Sequence, residues 1–555
     1  MPQFDLYPAP VTPLTGTETV MLAQTQNGKP TTVTATVADI NAGAAAAAPV
    51  QSVAGKTGDV VLTAANITDF STAAPAVVWP TISNLPPPIT ASATDLLPIV
   101  QSDGQTHNIT PSAMGILADG ATAARTLAAR LSDVVSIEDL GVVNDPNGQF
   151  IVENTKAYLE AIARVNGQAR LRHRAGLSIV TTSLIAANPV VLEMDGTITL
   201  APNTNGPVLR LYGAGNVIEG SGIIDGNKAN QTSSGAGCAG INTETTSVMN
   251  VRLRGLTIQN CFNWPINLTN LTQADVELLT MLNSGNSCEF SNANNVRMRF
   301  CTVSGITDEG IALYGAVVNG MLFGNTISGC SASGISVLND GAQPAPSSSL
   351  KIIANTISGS GLAGIEVDLG SGGSGADTHV QIKHNETFGN NTQNITARAE
   401  INLTNASIFN VSDNEIHDSI GNYAGGVGIS GPAIQGNVCN NTITNIGSET
   451  GNSFGVLFSN SVTNLRVSGN SICDNRATPL MSDGVVSPSG IVSTGISVVY
   501  NTIKGMVNVN INVTPNADTT IIDEGTHEHI FVLPTINPGA GSGKWWNNGG
   551  VVTVA

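Results

Sequence analysis

Asparagine marks a repeating pattern of apolar and polar positions through the second half of the chain. The residues leading into each asparagine alternate with period two or run apolar, and β-branched residues are frequent, as in Leu350 to Ile353. This pattern predicts short β-strands rather than helices. The repeated asparagines are Asn325, Asn355, Asn385, Asn414, Asn441, Asn470 and Asn501. Their spacing of 27 to 31 residues indicates that one repeat is the unit of structure.

A second phrase, glycine-isoleucine-x-valine or a close variant, predicts another strand in three repeats, after Gly310, Gly334 and Gly364. Two or three short strands per repeat, separated by glycine and asparagine corners, form one coil of a parallel β-helix. We expect about 11 such coils between residues 190 and 520, at roughly 29 residues each. The asparagines should stack at one tight corner, where left-handed backbone angles are tolerated and amides bond from coil to coil.

Composition fits a stack of small coils, because only 4% of the 555 residues are aromatic and 60 are glycine. The formal net charge of -18 argues against nucleic acid or an anionic membrane as partner. No apolar stretch could span a membrane, and residues 1–10 lack the features of a signal peptide, so neither membrane insertion nor export by that route is expected. We expect Cys261 and Cys330 to be buried core thiols, and no metal or cofactor motif is present.

The repeats occupy only part of the chain, which we divide into segments. Residues 17–40 and 94–114 resemble each other and predict two β-hairpin modules. An alanine-rich run at 119–131 predicts a helix, either an oligomeric neck or an exposed linker. The predicted domains are N-terminal modules at 1–115, a neck or linker helix at 116–134, a capped β-helix at 135–525, and a C-terminal cap or trimer contact at 526–555 that contains Trp545 and Trp546.

Three short stretches are distinctive, namely residues 50–62, the phrase at 16–20 and Gly220 to Asn227. From 135 to 200 the chain has a strand, a helix and an Ala175-Gly176 turn in that order, and the helix predicted from Glu153 to Val165 covers the open end of the solenoid. These stretches and this order resemble bacteriophage tailspike and tail fibre proteins. Two departures are residues 146–150, which replace the family's run of aspartates, and His173-Arg174 before the turn.

This resemblance implies the following properties for the chain. The fold would be an all-β, right-handed, pectate-lyase-like parallel β-helix, a handedness that the crossover rule also favours. The protein would be a homotrimer of the virion tail, assembled in the host cytoplasm. Its N-terminus would attach to tail or baseplate proteins, and its β-helix would meet a host surface polysaccharide, either capsule or lipopolysaccharide.

Candidate chemistry lies on the strand of the second phrase. Alternate residues of that strand point outward. Aligned on this phrase, Ala312, Ser336, Glu366 and Asn402 form one predicted column, and Tyr314, Leu338, Asp368 and Thr404 form the next. Glu366 and Asp368 should therefore lie about 7 Å apart on one face. That separation falls in the range of roughly 6.5–9.5 Å used by inverting glycoside hydrolases.

Other residues border the same face. Asp308 and Glu309 precede the strand about two coils, or 10 Å, away and complete the candidate catalytic set. Candidate substrate-binding residues are Tyr314, Ser336, Asn402 and Asp340. Inserts at 339–349 and 370–377 could build a groove, and His379 and His384 could assist the carboxylates.

The candidate site residues are compatible with three different functions. The leading hypothesis is hydrolysis of the polysaccharide with Glu366 and Asp368 as acid and base. A purely adhesive fibre would bind without cleaving, and the four carboxylates would then be ordinary solvated side chains. A polysaccharide lyase is the third alternative, but arginine and lysine are scarce on this face.

Overall fold

A computed structural model describes the strands at 19–26, 29–36, 97–100, 106–109, 115–116, 125–126, 545–548 and 551–554. Between them it describes residues 134–523 except 233–236, 244–247, 340–346, 371–377, 396–397, 422–423, 432, 448–452, 460–461, 489–492 and 514–518. The chain divides into two compact units, Met1–Ser92 and Ala93–Ala555.

Antiparallel hairpins lie near both ends of the chain. Their strand pairs are Thr19–Gln26 with Lys29–Thr36, Leu97–Val100 with Thr106–Ile109, Gly115–Ile116 with Arg125–Thr126, and Trp545–Asn548 with Val551–Val554. The first two are the hairpins predicted from the duplication.

The helix predicted at 119–131 is wrong where that segment is described. Arg125–Thr126 is a strand that pairs with Gly115–Ile116. An isolated helix of this length is marginal in water even when it is alanine-rich, so pairing with a neighbouring strand can override its local preference. The remaining residues of that segment lie outside the described part of the chain.

The second unit contains a parallel β-solenoid, which confirms the predicted fold class. Each coil contributes one strand to each of three faces, which we call sheets A, B and C. Sheet A consists of Val134–Ser136, Arg170–His173, Val191–Met194, Asn216–Glu219, Val248–Arg254, Leu271–Glu277, Val296–Arg299, Met321–Phe323, Leu350–Ile353, His379–Lys383, Ile408–Ser412, Gln435–Cys439, Leu465–Ser468, Ser497–Lys504 and Thr520–Asp523.

Sheets B and C continue each coil. Sheet B consists of Ser178–Thr181, Thr197–Leu200, Ile223–Asp225, Thr257–Gln259, Thr280–Leu282, Thr302–Ser304, Thr326–Ser328, Thr356–Ser358, Glu386–Phe388, Glu415–His417, Thr442–Thr444, Ser471–Cys473 and the end of Ser497–Lys504. Sheet C has 13 strands: Leu184–Ile185, Leu209–Leu211, Ile241–Thr243, Ile266–Thr269, Cys288–Ser291, Ile311–Tyr314, Ile335–Leu338, Ile365–Asp368, Ala399–Thr404, Gly425–Ser430, Ser453–Phe458, Met481–Val486 and Val509–Asn512.

A continuous apolar core fills the space between the three sheets, because every second residue of each strand points inward. Ile352, Ile357 and Ile365, one from each sheet, are fully buried there. Cys261 and Cys330 are also buried, as predicted, and burial raises the pKa of each thiol to about 12. Such protonated thiols act as small apolar side chains.

The repeated asparagines form the predicted ladder at the corner between sheets A and B. From Asn325 to Asn501, each Nδ2 donates to Oδ1 of the next asparagine over 2.8–3.0 Å. The backbone N–H of each donates to the same oxygen over 2.9–3.0 Å. The second Nδ2 proton goes to a carbonyl of the preceding coil, as in Asn385 to Ile352 at 2.9 Å. The amides therefore satisfy one another inside the protein.

The left-handed backbone conformation predicted for these asparagines lies one residue earlier. The preceding residues all have φ between 54° and 68°, namely Gly324, Ala354, His384, Asp413, Asn440, Gly469 and Tyr500. The asparagine side chain must point inward to reach its neighbours, so the turn is made at the exposed position before it. The prediction that the ladder asparagines themselves adopt the left-handed conformation is therefore wrong.

One helix, Ile151–Val165, covers the first coil and confirms the capping helix predicted from Glu153 to Val165. Tyr158 and Ile162 of this helix are buried. Tyr158 Oη lies 3.4 Å from Nδ1 of His173, a fully buried residue of the first coil. Short 3-10 turns occur at Glu138–Leu140 and Lys228–Asn230. Among the described residues, no helix is both long and apolar enough to cross a membrane.

Candidate functional site

The outer face of sheet C carries the predicted columns in the predicted register. Successive strands pair Glu289, Ala312, Ser336, Glu366 and Asn402 in one row. The neighbouring row consists of Ser291, Tyr314, Leu338, Asp368 and Thr404. The alignment on the glycine-isoleucine phrase was therefore correct from coil to coil.

Glu366 points away from the apolar core but is only 8% exposed. Its Oε2 accepts a hydrogen bond of 2.6 Å from the buried Ser333 hydroxyl. Its Oε1 forms an ion pair with the guanidinium of Arg398. A carboxylate held by two partners is positioned more firmly than a solvated one. Glu366 is thus not an ordinary surface carboxylate.

Glu309 lies one coil before Ser333, because the N–H of Gly310 donates to Ser333 O over 3.0 Å. Burial raises the pKa of the Glu309 carboxyl to about 7, with further increases from the hydrogen bond and charge of Asp308 and from the charge of Glu366. Desolvation and like charges both disfavour the ionised form of a carboxyl group. Asp308, Glu309 and Glu366 therefore form one interacting group, which we call the carboxylate cluster.

The other predicted site residues differ in accessibility. Asp368 and Tyr314 are half-buried, and Asp368 Oδ1 accepts a 3.0 Å hydrogen bond from the N–H of Gly370. Asn402 is 8% exposed. Ser336 is fully buried, and its hydroxyl has no hydrogen-bond partner among the described residues. Asp340 lies outside the described residues.

The histidines and inserts that were expected to border the cluster are placed elsewhere or not described. His379 begins a strand of sheet A, and His384 makes the turn before Asn385 at the corner with sheet B. Most of the two inserts, at 340–346 and 371–377, lies outside the described residues. These histidines therefore belong to other faces of the solenoid than Glu366.

Sequence reasoning missed three partners of the sheet C carboxylates. Arg398 precedes the strand Ala399–Thr404 and is 32 residues from Glu366, with no repeated phrase to indicate it. Ser333 could have been found, because it aligns with Glu309 one coil away. Trp264 Nε1 donates to Glu289 Oε2 over 2.9 Å at the far end of the same row.

In the part of the chain that the structure describes, no group of three or more histidine, cysteine, aspartate or glutamate side chains is arranged to hold a metal ion.

No protein-family model matches the chain, and no curated protein matches its sequence. Solved structures similar to the chain include the A-module of the Azotobacter vinelandii mannuronan C-5 epimerase AlgE6, at 15% identity and TM-score 0.44, covering 69% of this chain and 98% of that one. Phage tailspike proteins are also among its structural neighbours. Tailspike protein 3 of bacteriophage CBA120 is 14% identical with TM-score 0.48, covering 79% and 70% of the two chains.

A third similar structure is a mutant tailspike protein of the Escherichia coli bacteriophage HK620 in complex with a pentasaccharide. It is 12% identical with TM-score 0.44, and the match covers 74% of this chain and 84% of that one. At these levels of likeness, function must be argued from the residues of this chain.

Proposed function

We propose that the chain is a tail component of a bacteriophage that binds and hydrolyses a host surface polysaccharide. The observation that carries the proposal is the carboxylate cluster on the outer face of sheet C. It combines a carboxyl whose pKa is raised to about 7, Glu309, with an ion-paired carboxylate, Glu366. Two carboxyl groups with unlike environments are what glycoside hydrolysis uses as acid and base.

In this mechanism Glu309 donates its proton to the glycosidic oxygen as the bond to the anomeric carbon breaks. A water molecule attacks that carbon and passes a proton to Glu366. Solvent then returns both groups to their starting states, so that no other reactant is needed. Asp308 holds the Glu309 proton through their hydrogen bond. Asp368, Tyr314 and Asn402 are the proposed sugar contacts, and Asp340 remains a candidate contact. Ser336 is fully buried, so a sugar does not reach it in this structure.

Two parts of the proposal rest on the family resemblance rather than on the cluster. The N-terminal hairpins would attach the protein to tail or baseplate proteins, and three copies would form the working assembly. Light scattering on the full chain is expected to give a trimer. A monomer would contradict the assembly.

The test is cleavage of capsule or lipopolysaccharide from candidate hosts, with oligosaccharides as the readout. We expect Glu309→Gln to fold normally and to lose about 10²-fold or more of the rate, the usual scale of general acid loss. Glu415→Gln, an exposed glutamate on sheet B, is the control and should cleave like the parent. Because Glu309 must be protonated, the parent's rate should fall as pH rises through about 7.

The sequence favoured Glu366 and Asp368 as acid and base, so Asp368→Asn separates the two assignments. If Glu309 is the acid, Asp368→Asn loses a sugar contact and should raise KM while kcat changes less than about tenfold, whereas Glu366→Gln should lose about 10²-fold in kcat. A Glu309→Gln variant that cleaves at the parent rate would remove Glu309 from the mechanism. Products with a new double bond would indicate a lyase, for which Arg398 would supply the cation.

A non-enzymatic adhesive function is the second candidate. It is favoured by the occupation of both oxygens of Glu366, by Ser333 and Arg398. These partners use one lone pair on each oxygen, so Glu366 is held in place by the protein itself without a substrate. Binding of a host glycan by the parent without any oligosaccharide product would support this function over hydrolysis.

A further inference from the structure

A concave surface lies on the outer face of sheet A, on a different side of the coils from the carboxylate cluster. Its cavity has a volume of about 450 Å³. Its polar and charged lining residues are Asn295, Arg297, Asn319, Ser349, Lys351, His379 and Gln381. We call this surface the sheet A groove. None of these residues belongs to the proposed hydrolytic machinery.

The groove is cationic although the protein is strongly acidic. Arg297, Met321, Lys351 and Gln381 pair in one outward row on consecutive strands. Arg297 and Lys351 are therefore two strand spacings apart, about 10 Å. Both are exposed, as is His379, two residues before Gln381 on the same strand. No carboxylate is among the lining residues.

These cations have no ion pair among the described residues. Asp275 lies beside Arg297 in the preceding strand, but its Oδ1 accepts from Arg299 over 3.1 Å instead. By contrast, arginines nearer the start of sheet A are paired, as Arg170 is with Glu219 at 3.0 Å and Arg254 with Glu277 at 3.5 Å. Arg297 and Lys351 thus keep their charges available to a ligand.

Amide and hydroxyl groups line the groove beside the cations. Asn295, Asn319 and Ser349 occupy successive corners with φ between 51° and 58°, and Asn319 Nδ2 donates to Asn295 Oδ1 over 3.3 Å. Amides and hydroxyls both donate and accept hydrogen bonds, so they suit a ligand rich in hydroxyl groups. A row of such side chains that crosses several coils suits an extended ligand.

We propose that the sheet A groove is a binding site for an anionic polysaccharide, with Arg297 and Lys351 pairing with acidic groups along the polymer. His379 and the amides hydrogen-bond its hydroxyls. The acidic groups are carboxylates or phosphates, both of which pair with guanidinium and ammonium groups. The site requires no chemistry at the carboxylate cluster, so it does not depend on the hydrolytic proposal.

The net negative charge of the protein disfavours polyanions with closely spaced charges. Double-stranded nucleic acid carries one charge per about 1.7 Å of axis. The net charge of -18 repels it over a long stretch. A glycan whose acidic groups are spaced more widely than the nucleic-acid phosphates meets the two cations at close range, where the Debye length of about 8 Å screens more distant carboxylates.

The test is calorimetric binding of four probes to the full chain: polygalacturonate, a poly(glycerol phosphate) teichoic acid, neutral dextran and double-stranded DNA. We expect at least one of the two anionic glycans to bind, and which of them binds identifies the acidic group. Dextran and DNA should bind at least tenfold more weakly. The double variant Arg297→Gln, Lys351→Gln should lose about tenfold or more in affinity and become less sensitive to salt.

The matched control is Lys383→Gln, Arg466→Gln, which removes the same charge from sheet A outside the groove. It should change affinity less than about threefold. Glu309→Gln should bind like the parent, so failure of the hydrolytic proposal is seen separately. The groove assignment is overturned if no anionic glycan binds, if DNA binds best, or if the control pair loses as much affinity as the groove pair.

Discussion

The ladder corner and the outer face of sheet C are built from the same coils but use polar residues in opposite ways. In the ladder, each amide is buried and bonds to an identical amide one coil away. On sheet C the row changes from Glu289 to Ala312, Ser336 and Glu366, and Ser336 has no partner within the described residues. A column of identical residues can satisfy itself, whereas a column of different residues must find partners elsewhere or keep groups for a ligand.

The largest expected effect breaks the ladder. Asn385→Ala removes the acceptor of the Asn355 amide and the donor to Ile352 O and Asn414 Oδ1. Several buried polar groups are then left without partners, and we expect a loss of about 3–5 kcal/mol in the free energy of unfolding. Denaturant unfolding, with hydrogen exchange of the neighbouring coils, measures it.

Asn437→Ala is the control, because Asn437 is half-buried on the outer face of sheet A, away from the ladder. It should change stability by less than about 0.5 kcal/mol. Equal losses in the two variants would show that the ladder amides contribute no more than surface ones.

Stability should also depend on pH, by an amount similar to the loss expected for Asn385→Ala. This dependence extends the comparison, because sheet C buries a carboxyl group whereas the ladder contains only neutral amides. Glu400 is 1% exposed and accepts 2.5 Å and 3.2 Å hydrogen bonds from Asn390 Nδ2 and N. Burial raises the pKa of Glu400 to about 7, against the opposing effect of the Asn390 hydrogen bonds. The folded state therefore holds this proton up to a higher pH than the unfolded chain does.

With the folded pKa raised, the stabilisation is complete below the unfolded value of 4.5 and is lost as pH rises through about 7. We expect Glu400 to contribute a loss of about 3 kcal/mol across this interval. Glu400→Gln imitates the protonated form and should remove this contribution, leaving the part that comes from Glu309 through its own raised pKa. A parent and variant that lose stability in parallel between pH 4.5 and 7 would contradict this assignment.

The sequence predicted the ladder because one residue type recurs at one spacing, and it predicted the register of sheet C from a phrase anchored by glycine. It could not identify the turn residue, because Gly324, Ala354 and His384 have similar φ angles but unrelated side chains. No recurring residue type therefore marks this position in the sequence. Arg398 was missed for a similar reason, since it meets Glu366 through a segment outside the repeat.

The smallest expected effect lies at that turn. Tyr500 has φ 59° and is 56% exposed, so its ring contributes little to the core while its backbone angle is unfavourable. Tyr500→Asn should stabilise the protein by about 1 kcal/mol, because asparagine adopts this conformation more readily. The change in unfolding midpoint measures it, and Ala354→Gly is a parallel test without an aromatic ring. No gain in either variant would indicate that these turns are not strained.

The ladder also bears on how such a chain could change its length during evolution. Within the ladder, each coil between its two ends carries one amide that gives hydrogen bonds to one neighbour and receives them from the other, in the same geometry at every step. A duplicated stretch of one repeat therefore arrives with both its donor and its acceptor. Whole coils can be gained or lost without leaving an amide that lacks a hydrogen-bond partner, whereas an insertion of half a coil would break the asparagine ladder.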